Sequence, residues 1–208
     1  MLLIWPNLAD VVIKVSTLFN VFFHFFVMQN IKSIAVFCGS KSGKNPLYIE
    51  QAALLGNYLA KEKIKLIYGG GSVGIMGAIA NAVMQNNGEV IGIIPQLLVE
   101  WEQQHDTITE LIVVEDMHVR KKVIYEKSDA VIILPGGNGT LDELFETITW
   151  NTLKIHQMKV FILNVAGFYN NLLAHLDTMF EEGFLYEDWR QRIIVCEDAE
   201  EVILSIRH

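Results

Sequence analysis

The sequence predicts an α/β fold built on one parallel sheet with helices on both faces, and three observations carry that prediction. Short β-branched runs alternate with segments of helical period from Ile31 onward. Those runs are near-continuously apolar, as strands covered on both faces must be. The length of 208 residues suits one ordinary domain with a sizeable core. Together they imply a single doubly wound, Rossmann-like sheet.

Taken in order, the first strand is Ser33–Cys38 (SIAVFC), followed by helical periodicity over Pro46–Glu62. The apolar run Lys65–Tyr68 is the second strand, and Ile75–Asn86 returns to helical period. Val90–Ile94 and Leu111–Val114 are the third and fourth strands. A helix over His118–Lys127 leads to Ala130–Leu134, and one over Leu141–Leu153 leads to Val160–Asn164. Tyr169–Glu182 and Ile193–Cys196 form the last βα exchange before a closing helix at Asp198–Arg207. No internal repeat, low-complexity linker or domain boundary follows Met28. Ligands of such sheets bind outside the carboxyl ends of the strands, so the loops there are the candidate site.

Composition marks one other feature. The chain is 51% hydrophobic, and residues 1–27 alone hold 19 hydrophobic residues with five of the eleven Phe. The rest is about 48% hydrophobic, an ordinary globular value. Within that stretch the uncharged run from Val15 to Met28 is short for a bilayer span. It lacks the basic n-region and small-residue cleavage site of a signal peptide. The reading preferred here is a start assigned too far upstream, with Met28 the natural first residue; a peripheral helix or anchor is the alternative. The body is then 28–208, and deleting residues 2–27 is expected to leave activity and solubility intact, whereas lost activity would give the extension a role.

Sixteen Lys and Arg against 24 Asp and Glu give a net charge of −8. That balance argues against general nucleic-acid binding. An anionic ligand must be held by local groups. Cys38 and Cys196 have neither metal spacing nor a disulfide framework, which suggests buried thiols in a reducing cytoplasm.

Four loops follow strand ends. Gly39-Ser40-Lys41-Ser42-Gly43 offers small residues and the Ser40 hydroxyl, a weak signal alone. The stretch Gly69 to Gly77 contains G-x-G-x-x-G between a strand and a helix, including Gly70 and Gly71. The third strand ends in Pro95 without the acid that holds a NAD ribose, so a NAD site is disfavoured while close nucleotide approach survives. Met117-His118-Val119-Arg120-Lys121-Lys122 puts three cations together, either an anion-attracting patch or a solvated helix face. Pro135-Gly136-Gly137-Asn138-Gly139-Thr140-Leu141-Asp142-Glu143 is a bare turn feeding a helix N-terminus, a ready phosphate site. Thr140-x-x-Glu143 also reads as a capping box. Capping needs neither three glycines nor a separate basic patch, so the ligand reading is preferred.

These motifs together resemble the LONELY GUY family, often mislabelled as lysine decarboxylases. Its P-G-G-x-G-T-x-x-E signature is matched from Pro135 to Glu143, M-H-x-R-K from Met117 to Lys121, and G-G-G-x-x-G-x-M-G from Gly69 to Gly77. The resemblance runs from about Ile31 to Ile203. It implies a phosphoribohydrolase that cleaves the N-glycosidic bond of N6-modified adenosine 5′-monophosphates, or AMP, to the free base and ribose 5-phosphate. It implies no metal or organic cofactor, no nucleic-acid or membrane partner, and a homodimer or larger assembly. Carried over, Arg120 and Glu143 are the catalytic pair. Lys121, Met117, Ser40, Gly70, Gly71 and the loop Gly136, Gly137, Asn138, Gly139 and Thr140 support substrate. Thr149 is a further contact. So is Glu102, although family members often have Glu-Leu-Thr where this chain has Glu102-Gln103-Gln104.

The implied chemistry is sound. Breaking a ribosyl C–N bond builds oxocarbenium character, which a carboxylate such as Glu143 stabilises or relieves by activating water. A dianionic phosphate nearby repels that carboxylate, so Arg120 is assigned to phosphate anchoring and charge balance. Pyridoxal-dependent decarboxylation needs a Schiff-base lysine signature that the sequence lacks. The rival reading is a non-enzymatic nucleotide or cofactor carrier of the same fold.

Overall fold

The computed structural model describes residues 31–99 and 104–207. Its seven strands are β1 (Ser33–Phe37), β2 (Lys65–Tyr68), β3 (Val90–Pro95), β4 (Glu110–Val114), β5 (Ala130–Ile133), β6 (Lys159–Leu163) and β7 (Ile193–Cys196). The helices are α1 (Leu47–Lys61), α2 (Gly74–Gln85), α3 (Met117–Glu126), α4 (Asn138–Thr152), α5 (Asn170–Glu181) and α6 (Ala199–Arg207). All strand pairs are parallel, in the order β4-β3-β2-β1-β5-β6-β7.

The apolar runs explain the layering. Within β1, Ile34 and Val36 point into one core and Ala35 and Phe37 into the other; β5 divides Ala130 and Ile132 from Val131 and Ile133 in the same way. Period-two alternation between two cores needs apolar residues at every position. Leu55 and Leu59 of α1, Ile79 of α2 and Val202 of α6 fill the first core. Ile124 of α3, Leu144 of α4 and Leu176 of α5 fill the second. The edge strand β4 is the exception to the continuous-burial expectation: it is half-buried, and Glu110 and Val113 are exposed.

From β1 the chain winds outward through β2, β3 and β4, then crosses back through α3 to β5 on the other side of β1. The loops after β1 and β5 therefore diverge to opposite faces, which opens a crevice between their carboxyl ends.

Every helix start differs from the sequence expectation, by one residue except in α4, and two of the differences bear on the site. Helix α3 begins at Met117 because the Asp116 carboxylate accepts from the amides of His118 and Val119 at 2.8 and 2.9 Å. Helix α4 begins at Asn138, three residues before the expected Leu141, with Gly137 as an extended N-cap and no side-chain cap. Thr140 and Glu143 thus lie inside the helix, and the capping box that their spacing also allows does not form. Residues 1–27 and Glu102 lie outside the described residues. Among the described residues, no helix is long and apolar enough to cross a membrane.

Candidate active site

A cavity of about 580 Å³ occupies the crevice above β1 and β5. Its floor is made by loops packed almost backbone to backbone. The Gly39 amide donates to Pro135 O at 3.0 Å, and Ile75 and Met76 amides donate to Gly39 O at 3.2 and 3.3 Å. Gly74, at φ +62°, lies so close to this loop that a Cβ would stand 2.4 Å from the Ser40 carbonyl. Only glycine fits there. The G-x-G-x-x-G spacing thus serves the meeting of two loops. Gly70 and Gly71 are outside the cavity lining: Gly70 O accepts from the His105 amide at 2.9 Å and Gly71 bridges Gln104. Their neighbour Gly69 is the one that lines the cavity.

The wall over β5 is the first turn of α4. Its opening amides lack side-chain caps, and such amides carry the positive end of the helix dipole. A Cβ on Gly136 would meet Thr140 Oγ1 at 2.1 Å, so packing alone explains that glycine. A Cβ on Gly137 or Gly139 would meet nothing within 4 Å. Neither has a positive φ. Two glycines of the cavity lining thus stand beside open space. Thr140 and Glu143, one turn apart, are buried and line the cavity.

The opposite wall comes from α3. At 100° per residue, three consecutive cations cannot share a face, and here they separate. Lys122 is exposed beside Glu126. Lys121, itself outside the cavity lining, leans on α4, where Nζ pairs with Glu146 at 3.0 Å and with the cavity-lining Asp142 at 3.2 Å. Burial acts to lower its pKa, but the hydrogen bonds and attraction of Glu146 and Asp142 outweigh that and hold it above the ordinary lysine value. Arg120 alone of the three enters the cavity wall, at 5% exposure. Its Nε donates to Ile93 O and its Nη2 to Gly69 O, both at 3.1 Å. A Cβ on Gly69 would stand 2.1 Å from Nη2, so glycine makes the space for the guanidinium. The two carbonyls orient the guanidinium.

The cavity thus gathers Ser40, Met117, Arg120, Gly136, Gly137, Asn138, Gly139, Thr140 and Glu143. Gly70, Gly71, Lys121 and Thr149 are not among its lining, and Thr149 is exposed on α4. Sequence reasoning missed the wall formed by Tyr48 and Phe168, an edge-to-face pair with centroids 5.5 Å apart. Phe168 follows β6 in a turn whose Ala166 has φ 52° and Gly167 φ 69°. The strand-end rule applied to β6 would have found it. Cys38 lines the same cavity; both cysteines are buried and outside any disulfide among the described residues. Among the described residues no cluster of His, Cys, Asp and Glu could hold a metal.

A family profile described as "Possible lysine decarboxylase" matches residues 76–206. Cytokinin riboside 5′-monophosphate phosphoribohydrolase LOG7 of Arabidopsis thaliana is 48% identical over 178 residues, 86% of this chain and 82% of that protein. The cytokinin riboside 5′-monophosphate phosphoribohydrolase of Rhodococcoides fascians is 42% identical over 85% of this chain and 89% of its own. Among solved structures, the molybdenum cofactor binding protein of Rippkaea orientalis shares the fold with a TM-score of 0.64 at 24% identity, over 86% of this chain and 99% of that one. The molybdenum cofactor carrier protein of Chlamydomonas reinhardtii does so at 0.64 and 19%, over 84% and 95%. The likeness to the two structures concerns the fold. The sequence matches go further: the chain belongs to the LONELY GUY family of cytokinin riboside 5′-monophosphate phosphoribohydrolases.

Proposed function

We propose that the protein hydrolyses the N-glycosidic bond of adenosine 5′-monophosphates, N6-modified or plain, to the free base and ribose 5-phosphate. One observation carries the reading: buried Arg120 and Glu143, from different helices, line one cavity beside an uncapped helix N-terminus whose Gly137 and Gly139 leave open space. The amides of α4, with Thr140 and Ser40, take the phosphate. That anchor makes a nucleotide, and not its nucleoside, the substrate.

With the phosphate seated, the ribose lies against Glu143. The C1′–N9 bond breaks, its electron pair goes to the purine, and positive charge develops at C1′. The Glu143 carboxylate stabilises that charge and takes a proton from the water that adds to C1′, the departing purine takes up a proton from solvent, and Glu143 returns its own to solvent. Acid–base help of this kind contributes about 10²–10⁴-fold. Arg120 balances the phosphate against the carboxylate. Lys121 supports substrate indirectly, by fastening α3 to α4. Glu102 and Thr149 are proposed as contacts of the outer end of the substrate.

Decarboxylation through a Schiff base needs a lysine whose amine is neutral at working pH. Lys121 is shifted the other way by its two carboxylates. The proposal extends to a homodimer, supported by Leu153 and Ile155, 63% and 62% exposed at the end of α4; a monomer in analytical ultracentrifugation would overturn it. It extends also to a body of residues 28–208 in a reducing cytoplasm, supported by Cys38 and Cys196, which form no disulfide among the described residues; fractionation of cells would test the location, and recovery outside the cytoplasm would refute it.

The deciding experiment incubates the protein with AMP and with N6-isopentenyl-AMP and follows base release and nucleotide binding together. Hydrolysis supports the enzyme; tight binding of both without turnover would establish a carrier or sensor instead.

A further inference from the structure

Helices α3 and α4, which carry Arg120 and Glu143, meet along one stripe of α3. Lys121 and Tyr125, one turn apart, both face the α4 segment 142–147 that contains Glu143. The Tyr125 hydroxyl lies 3.1 Å from Glu143 O, 3.0 Å from Thr147 Oγ1 and 3.4 Å from Glu146 Oε2. The Thr147 hydroxyl donates to the same Glu143 carbonyl at 2.7 Å. The Tyr125 proton therefore reaches that carbonyl directly or through Thr147. Glu146 completes the clasp, with Oε1 on Lys121 and Oε2 beside Tyr125.

The ring cannot drift. It is 4% exposed and packs on Phe37, Trp150 and His156, with centroids 5.9, 5.0 and 5.6 Å away. Burial raises the hydroxyl pKa above the ordinary phenol value of 10.0, so the group stays a neutral donor. Packing alone would be served as well by phenylalanine. What the hydroxyl adds is a hold on the turn bearing Glu143, delivered from the helix bearing Arg120.

We propose that Tyr125 is a positioning residue for the cleavage step: outside the cavity lining, it fixes the Glu143 turn of α4 against α3 and so sets the carboxylate relative to Arg120. This rests on the phosphoribohydrolase reading above.

The test is Tyr125→Phe, which removes one oxygen and leaves the ring contacts in place, assayed beside wild type for AMP hydrolysis, ribose 5-phosphate inhibition and thermal melting. The expected result is a kcat about threefold to tenfold lower, the range of one neutral hydrogen bond felt in the transition state. KM for AMP and Ki for ribose 5-phosphate stay within twofold, because the phosphate cradle is untouched. Thr147→Val, which removes the second donor to the same carbonyl, should produce the same split and carries the test should Tyr125→Phe fold poorly. The effects of the two on kcat should be non-additive in the double variant, since both act through one carbonyl. Unchanged kcat in both variants, or KM and Ki rising in step with the loss, would overturn the assignment. Wild type that binds AMP without cleaving it would refute the underlying function instead, so the two failures are distinct.

Discussion

Gly69→Ala tests whether the placement of Arg120 matters, without altering its charge. The new methyl would stand 2.1 Å from Nη2 and 3.3 Å from Cζ of Arg120. Ordinary van der Waals contact begins near 3.4 Å, so the guanidinium must withdraw by about 1.3 Å. It loses the 3.1 Å bond to Gly69 O and keeps a route to Ile93 O. The backbone accepts alanine because Gly69 has no positive φ. Misplacing a catalytic group by about 1 Å costs about 10²-fold, so kcat/KM for AMP should fall by that factor, about 2.7 kcal/mol. Stability should change by about one hydrogen bond, roughly 1 kcal/mol or 2–4 °C in Tm for a domain of this size. Steady-state kinetics and a melting curve on one preparation measure both. Wild-type kcat/KM in a folded variant would show that the seat of the guanidinium is irrelevant, and the role of Arg120 would fall with it.

Two further outcomes follow from the same geometry. Gly139→Ala places a methyl in open space within the first turn of α4, where alanine is the better helix former by up to about 1 kcal/mol. Tm should therefore hold or rise by a few degrees, while Ki for ribose 5-phosphate rises tenfold or more; unchanged Ki would show that the space is not the phosphate seat. His156 supplies a pH dependence. Its Nδ1–H donates to Asn151 Oδ1 at 2.8 Å, and burial lowers its pKa below 6.5 against a smaller opposing pull from Glu146. Between the folded and unfolded values the unfolded chain binds more protons, so this stability is complete above 6.5 and is lost as pH falls through the folded value. The urea midpoint should drop from pH 7 to 5.5, and His156→Gln should flatten part of that slope, with His105, shifted in the same direction, keeping the rest. An identical slope in the variant would rule out the linkage.

The strands were readable because a doubly covered sheet demands apolar residues at every position, as Ile34 through Phe37 show. The start of α4 was not, because Thr140-x-x-Glu143 has the spacing of a capping box and equally that of two neighbours on one helix face. Which one forms depends on the backbone of Gly137, where a glycine-rich turn leaves both open. The cations at 120–122 illustrate a rule within reach: helical geometry already separates them, and only Arg120 enters the cavity. Gly70 and Gly71 against Gly69 is a difference of one residue, fixed by the meeting of the loop with His105 and Gln104. Tyr125 lay beyond sequence reasoning altogether, since its polar partners at Glu143, Glu146 and Thr147 are 18 to 22 residues distant and share no local pattern with it.

The central claim is that Glu143 acts at the C1′–N9 bond of a nucleotide held by the α4 amides. Its most direct test measures adenine and ribose 5-phosphate released from AMP by wild type and by Glu143→Gln, with AMP binding followed by calorimetry in both. Wild type should release the two products in equal amounts, and Glu143→Gln should lose turnover while largely keeping its binding of AMP. Turnover that survives in Glu143→Gln, or a variant that no longer binds AMP, would contradict it.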